Sequence, residues 1–437
     1  MLTNLKQISK RPFVRNVITI ATGTAAAQAV TMAFTPLVTR LYGAEVFGTQ
    51  GVFMSLAGAL TMIAALTYPM AIVLPKGDGS ARSLTKLSVY VGIVLSLISA
   101  LLFLLFGPAL LRAINSESIE KYILLLPLFM LFSVFSDVLS QWLIRKQAFK
   151  ICAQSSLYQA IGLNSIKIGA AFITPSAASL IIANTVGKLL QAGLLLLGFQ
   201  QYKRKNKTKE EKRVDTLADP SIFETAKTYQ DFPLLRAPQV FINTISQILP
   251  IMMLASFFGP IAVGYYALAN SVLGLPSGLI GASVMQVFYP RANEAHQKGE
   301  SLEKLIIKTT LGMALAGFIP FLIIILFGPY LFELIFGQGW GAAGTYAQWL
   351  SAWLFFAYIS RPTIAAIPVL GIQKGFLVYE IFSTAAKFIA IYVGYYIFNS
   401  DTYSIALFSI SGTISYAYLI VATCISARSK KAPKPKI

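Results

Sequence analysis

The sequence predicts an all-α polytopic membrane protein of about 12 transmembrane helices, in two six-helix lobes related by a pseudo-two-fold axis along the membrane normal. Three observations predict this fold. Apolar stretches of membrane-spanning length recur along all 437 residues, basic residues gather in alternate connections, and landmarks of the first half return in the second. Composition agrees, with 56% hydrophobic residues, 12% charged residues and a mean hydropathy of +0.67. A soluble domain carries about 25% charged residues.

The apolar stretches fall at 16–39, 48–74, 84–106, 122–144, 151–173, 176–199, 236–258, 261–289, 305–327, 342–371, 375–397 and 402–426. About 20 apolar residues suffice to cross the hydrocarbon as a helix. The first stretch, Asn16 to Thr39, follows Lys6, Lys10, Arg11 and Arg15, a pattern that a signal peptide shares. Its 24 residues exceed a signal core of about 7–15, so it is expected to remain as an uncleaved span. The expected organisation is an N-lobe over 1–200 holding spans 1–6, a solvated cytoplasmic linker over 201–231, a C-lobe over 232–426 holding spans 7–12, and a basic cytoplasmic tail over 427–437.

Orientation follows from charge. Of 36 Lys and Arg residues, 29 lie in the segments on the side of the N-terminus and three, Arg40, Arg112 and Lys121, on the other. Basic loops stay cytoplasmic, so both termini are expected in the cytoplasm of a bacterial inner membrane. The same loops account for most of the net charge of +19 through anionic membrane lipids, and nucleic acid is not needed as a partner. Cys152 and Cys424 have no metal or disulfide spacing, and the lone histidine, His296, lies in a charged loop. No phosphate-binding G-x-x-x-x-G-K-[ST] loop occurs, so transport work must come from an ion gradient or from the substrate's own. A membrane-embedded polymerase, ligase or acyltransferase tends to need large outside loops or histidine and acid constellations; the outside loops here are short. The expectation is no enzyme, no catalytic residue, no metal and no cofactor.

The halves repeat. "RLYGAEVFG" (40–48) follows the first span and "SFFGPIAVG" (256–264) the seventh, with Gly43 and Gly48 matching Gly259 and Gly264. "SLTKL" (83–87) and "SLEKL" (301–305) open spans three and nine, and "LFGP" (105–108 and 326–329) closes them. An even-numbered unit repeats in parallel topology, which sets the axis along the membrane normal. Two such lobes around a cavity form an alternating-access architecture.

At "NVITIATGTAAAQAVTMAFTPLVTRLYGAEVFGTQGVFMSL" (16–56), with its Arg40-Leu41-Tyr42 and Phe47-Gly48, the chain resembles polysaccharide flippases of the Wzx type. These belong to the superfamily of multidrug, oligosaccharidyl-lipid and polysaccharide exporters. The resemblance implies two lobes in a V and movement of an undecaprenyl-pyrophosphate-linked oligosaccharide, a surface polysaccharide repeat unit, from the inner to the outer leaflet. The implied partners are that substrate and polysaccharide polymerase machinery. The alternative is a multidrug or solute antiporter of the same superfamily. Multidrug members often couple through an acid in the first span, and 16–39 holds neither Asp nor Glu. The G-x-x-x-D-R-x-G-R-K-like loop of major facilitators is also missing from "PKGDGSARSLTK" (75–86).

Six charges remain inside spans: Lys167, Lys188, Arg361, Lys387, Asp137 and Glu380. Such charges usually face a protein interior or aqueous cavity. Four cations against two acids suit a pyrophosphate, which lysine meets as a point charge and arginine can grip bidentately. The expected substrate-binding residues are Lys188, Lys387, Arg361, Lys167 and Arg40. Asn184, Gln191, Gln239, Asn243, Gln247 and Tyr358 are expected polar linings, and Asp137 and Glu380 candidates for ion or proton coupling. Structural readings stand beside these. Lys188 and Lys387 also fit buried pairs, Arg361 a cap on carbonyls freed by Pro362, Lys167 and Glu380 snorkelling, Arg40 an interfacial anchor. Asp137 either neutralises Lys188 or takes up a proton, and the polar stripes suit interhelical hydrogen bonds as well as sugar.

Overall fold

A computed structural model describes residues 12–75, 77–113, 115–211 and 220–429. The basic residues before 12, Lys76, Ile114, residues 212–219 of the linker and the basic tail from 430 lie outside the described residues. Regular structure among the described residues is helical throughout. The chain divides into two compact units, the first ending at Ser256 and the second starting at Phe257. This division falls near the end of a helix.

The first unit holds α1 (Pro12–Leu41), α2 (Ala44–Ile63), α3 (Tyr68–Ala71), α4 (Asp78–Ala113), α5 (Leu125–Arg145), α6 (Phe149–Ala171), α7 (Ala177–Glu211), α8 (Ile222–Thr228) and nearly all of α9 (Ala237–Phe258). The second holds α10 (Pro260–Gln297), α11 (Leu302–Phe336), α12 (Gly341–Ile359), α13 (Arg361–Leu370), α14 (Gln373–Phe398) and α15 (Asp401–Ser429). Each apolar stretch in the sequence coincides with one helix or, at 48–74 and 342–371, with two. Among the described residues nine segments are long and apolar enough to cross a membrane. The other three stretches lie on α1, α6 and α10, which hold more small and polar residues.

Four helix pairings recur in both units. In the first, α4 packs on α5, α2 on α5, α5 on α7 and α6 on α7; in the second, α11 packs on α12, α10 on α12, α12 on α15 and α14 on α15. Counted by span within each half, these are third on fourth, second on fourth, fourth on sixth and fifth on sixth. The repeated glycines occupy matching places. Gly43 and Gly259 precede α2 and α10, and Gly48 and Gly264 are buried in the early turns of those helices. Gly259 has φ +78°, open to glycine at little cost.

Three features differ from the sequence reading. "LFGP" does not close spans three and nine. Pro108 and Pro329 sit inside α4 and α11, which run on to Ala113 and Phe336. These helices have 36 and 35 residues, or about 54 and 52 Å, against a hydrocarbon core of about 30 Å. Their charged first turns therefore extend beyond the hydrocarbon. Second, the stretch 48–74 is no single helix. It breaks after Ile63, with Leu66 and Thr67 at positive φ, an uncommon conformation for a β-branched residue. The Thr67 hydroxyl donates to the Phe232 carbonyl at 3.0 Å and helps hold the break.

Third, much of the linker is ordered. α7 continues to Glu211, and Ser221 and Glu224 form a capping box that starts α8. The Ser221 hydroxyl accepts from the Glu224 N–H at 3.1 Å, and the Glu224 carboxylate from the Ser221 N–H at 3.2 Å. Ala226, Tyr229 and Phe232 then pack on a core that includes Tyr68, Leu84 and Val138. Ser83 adds a hydrogen bond to the Pro220 carbonyl at 2.7 Å. Nearby, Asp78 pairs with Arg145 at 3.0 Å and Lys146 at 2.6 Å, tying the start of α4 to the end of α5.

Close helix contact depends on small residues. A Cβ on Gly344 of α12 would lie 2.4 Å from the Gly328 carbonyl oxygen of α11, and one on Gly328 would lie 2.6 Å from the Gly344 oxygen. Gly344→Ala is therefore expected to destabilise the protein by about 2 kcal/mol through forced separation of α11 and α12. Gly312→Ala, where nothing lies within 4 Å of the added Cβ, is expected to be neutral or stabilising by up to ~1 kcal/mol. Thermal unfolding of both variants in detergent checks the opposite signs.

Candidate functional site

In the first unit the intramembrane charges meet around α5 and α7. Lys188 is half-buried on α7 and donates to the Gln191 side-chain carbonyl at 3.2 Å, one turn along. Its Nζ also lies 5.8 Å from the centroid of the Phe129 ring on α5. Such a cation–ring contact is worth about 2 kcal/mol when desolvated. Asp137, also on α5, is exposed and feels the Lys188 charge, but no carboxylate among the described residues reaches ion-pair distance of Lys188. The lysine is thus held by an amide oxygen and a ring face and is not neutralised by direct contact.

Asn184 sits one turn before Lys188, buried, and its amide donates back to the Leu180 carbonyl at 2.8 Å. Its bond is therefore within its own helix. Lys167 of α6 makes no ring contact or ion pair among the described residues. Its backbone carbonyl accepts from the Tyr42 hydroxyl at 2.8 Å, and Tyr42 is fully buried between α1, α6 and α7. Tyr42 in the quoted Arg40-Leu41-Tyr42 run is thus a packing anchor. Arg40 is exposed in the last turn of α1, where a cation complements the helix dipole. On α9, Gln239 accepts from Arg236 at 2.9 Å, and Gln247 donates to Asn243 at 2.7 Å. Gln239, Asn243 and Gln247 are all exposed, a row of amides along α9.

In the second unit the charges meet around α12–α15. Lys387 of α14 is half-buried, with Nζ 5.7 Å from the Trp353 ring of α12. Glu380 lies two turns earlier on α14, exposed and within electrostatic range of Lys387. Tyr416 of α15 interacts electrostatically with both Arg361 and Glu380, and Tyr379 with Glu380 and Tyr416. Three charges from two stretches thus belong to one neighbourhood with two tyrosines. Arg361 starts α13 after the break at Ser360, and its stem lies against Gly281, where an added Cβ would be 3.0 Å from Nε. Its Nε and the Trp353 Nε1 are buried N–H donors without a hydrogen-bond acceptor among the described residues. The Nε of Arg361 therefore caps no carbonyl near Pro362 among the described residues. Tyr358 packs in an apolar cluster with Met313, Phe321 and Phe355.

The two neighbourhoods share one device. Each holds a half-buried lysine against an aromatic ring from the fourth span of its half, with an acid nearby. The sequence reading picked out the charges and missed Phe129, Trp353, Tyr379 and Tyr416. Aromatic residues are 12% of the chain, so nothing in their spacing marks these four. No group of three or more His, Cys, Asp or Glu side chains able to hold a metal ion occurs among the described residues.

Comparison with known proteins follows from this fold. A family described as "Polysaccharide biosynthesis protein" matches residues 37–344. The chain belongs to this polysaccharide biosynthesis protein family. No curated protein sequence matches significantly. Among solved structures, the lipid II flippase MurJ in an inward closed conformation is 14% identical, with TM-score 0.67 over 93% of this chain and 87% of that one. An inward-facing multidrug resistance MATE family transporter of the MOP superfamily is 13% identical, with TM-score 0.63 over 94% of each chain. A MOP superfamily transporter from Pyrococcus furiosus, described as having a binding pocket of reverse polarity, is 13% identical, with TM-score 0.58 over 94% of each chain. At these identities the likeness concerns the fold, and this family member has the fold of the superfamily.

Coupling of Asp137 to Lys188 is open to measurement. A double-mutant cycle with Asp137→Asn and Lys188→Gln is expected to give an interaction energy of about 1 kcal/mol in thermal unfolding. Additive single effects would mean the two charges do not sense each other.

Proposed function

We propose that the protein is a flippase, which moves an undecaprenyl-pyrophosphate-linked oligosaccharide from the inner to the outer leaflet by alternating access. Membership of a polysaccharide biosynthesis family on a transporter fold supports a lipid-linked sugar substrate. The observation that carries the reading is a half-buried lysine in each unit, Lys188 against a ring and an amide and Lys387 against a ring, with no acid in contact with either among the described residues. A cation so placed keeps attraction for a pyrophosphate. Division of that attraction between sites lets the substrate leave again.

In this reading all 12 stretches cross the bacterial inner membrane with both termini cytoplasmic, and the six-helix halves are related about the membrane normal. Lys188, Lys387 and Arg361 are the primary phosphate contacts, and Lys167 and Arg40 electrostatic support. Gln191, Gln239, Asn243 and Gln247 offer hydrogen bonds to sugar, with Asn184 and Tyr358 shaping the helices behind them. Asp137 and Glu380 are the groups available for ion or proton coupling. No cofactor takes part, and polysaccharide polymerase machinery is the downstream partner.

The Lys188→Ala, Lys387→Ala double variant is expected to insert normally while surface polysaccharide falls by about tenfold or more, since loss of charge-assisted contacts weakens substrate capture. Lipid-linked oligosaccharide should then accumulate on the inner leaflet, read by protection from an external glycosidase. Unchanged outer-leaflet sugar would reject these sites. Drug resistance conferred on an exporter-deficient strain, with no effect on surface sugar, would favour the multidrug antiporter.

A further inference from the structure

The second unit contains a cavity of about 650 Å³ along α14 and α15, with no charged side chain in its lining. Its lining includes Gly375, Tyr379 and Ala386 of α14 and Ile414, Tyr418 and Ser426 of α15. The rings of Phe376, Tyr379 and Tyr418 stack along one wall, at 5.9 and 6.4 Å between centroids. Phe382, Ile414 and Tyr418 are exposed large side chains, so the groove is open and apolar.

Its position along the helices is informative. Gly375 to Ala386 is eleven residues, a rise of about 16 Å, close to half of a hydrocarbon core of about 30 Å. One end lies at the first turn of α14 and the last turns of α15, which run antiparallel beside each other. Two exposed cations, Lys374 and Arg428, stand at that end. The other end reaches the residue before Lys387. The groove is thus a half-membrane slot with positive charge at the basic-loop end, matching a lipid in the cytoplasmic leaflet with an anionic head and an apolar tail.

We infer that this groove holds the head-proximal part of the isoprenoid tail of the lipid-linked substrate, with its phosphates first met by Lys374 and Arg428. The inference rests on the flippase reading above and adds a loading site to it. A single slot between two helices takes one chain, as a polyprenyl lipid has, whereas a glycerophospholipid carries two. The same helix also carries Lys387 and Glu380 on an adjoining face, so the loading groove and the charged neighbourhood share one element.

The test is binding of undecaprenyl pyrophosphate to the purified full-length protein in nanodiscs containing phosphatidylglycerol, read by native mass spectrometry. Gly375→Trp and Ala386→Trp fill the groove; a Cβ at Gly375 meets nothing within 4 Å, and Ala386 is exposed, so both should fold. Each is expected to weaken binding by about tenfold, because the lost apolar contact exceeds one or two methylenes. The Lys374→Gln, Arg428→Gln pair should weaken it by about tenfold or more and reduce its salt dependence, at roughly fivefold per surface cation. Excess phosphatidylglycerol should not displace the probe. Unaltered binding in both tryptophan variants, or displacement by phosphatidylglycerol, overturns the groove assignment while leaving the flippase reading intact. Failure of the wild-type protein to bind undecaprenyl pyrophosphate at all overturns both.

Discussion

Hydrocarbon offers no hydrogen-bond partner, and the rest of this structure depends on that constraint. Backbone groups must be satisfied inside each segment, so the chain crosses as helices. The same pressure acts on side chains. Ser88, Thr185 and Ser351, all buried, donate to the carbonyl four residues back at 2.7, 3.0 and 2.6 Å. Polar residues that look like potential ligands in the sequence are thereby absorbed into their own helices, and Asn184 behaves in the same way. Those that escape this fate carry the functional argument. Among the described residues, Lys188, Lys387 and the buried Nε of Arg361 have no backbone carbonyl as partner.

The lysines show how a charge can be kept without being cancelled. A contacting carboxylate would neutralise the ammonium and leave little attraction for a phosphate. A ring face and an amide oxygen stabilise it more weakly and leave its field available. Both units supply the ring, Phe129 on α5 and Trp353 on α12, while the amide oxygen of Gln191 is found at Lys188 alone. The matching helix pairs of the two units thus carry a matching lysine–ring contact, although the two lysines sit on helices that do not correspond.

Helix breaks and small-residue contacts set where these groups stand. The break at Ser360 starts α13 with Arg361, whose stem lies against Gly281. The break after Ile63 leaves Thr67 in a left-handed conformation, bonded to Phe232 beyond the linker helix. Segment 220–236 is consequently part of the first unit's packing and more than a tether. Its capping box, Ser221 with Glu224, is a local signal that the mixed charge of the surrounding stretch concealed.

The sequence by itself determined the helical class, the position of each apolar stretch and the landmarks of the repeat, because these depend on hydropathy and spacing within a segment. It also marked the six charges in the spans, since charge is conspicuous against hydrocarbon. Tertiary structure alone decided which charges became neighbours. Lys167, Lys188 and Lys387 look alike in their spans, yet among the described residues only the last two meet rings. Tyr358 shares a turn with Arg361 but joins an apolar cluster, and Pro108 and Pro329 remain inside helices longer than the hydrocarbon is thick. The physical reason is that a helix's face is set by what packs against it. Partners such as Phe129, Trp353 and Tyr416 come from other helices, and no local pattern in an aromatic-rich chain singles them out.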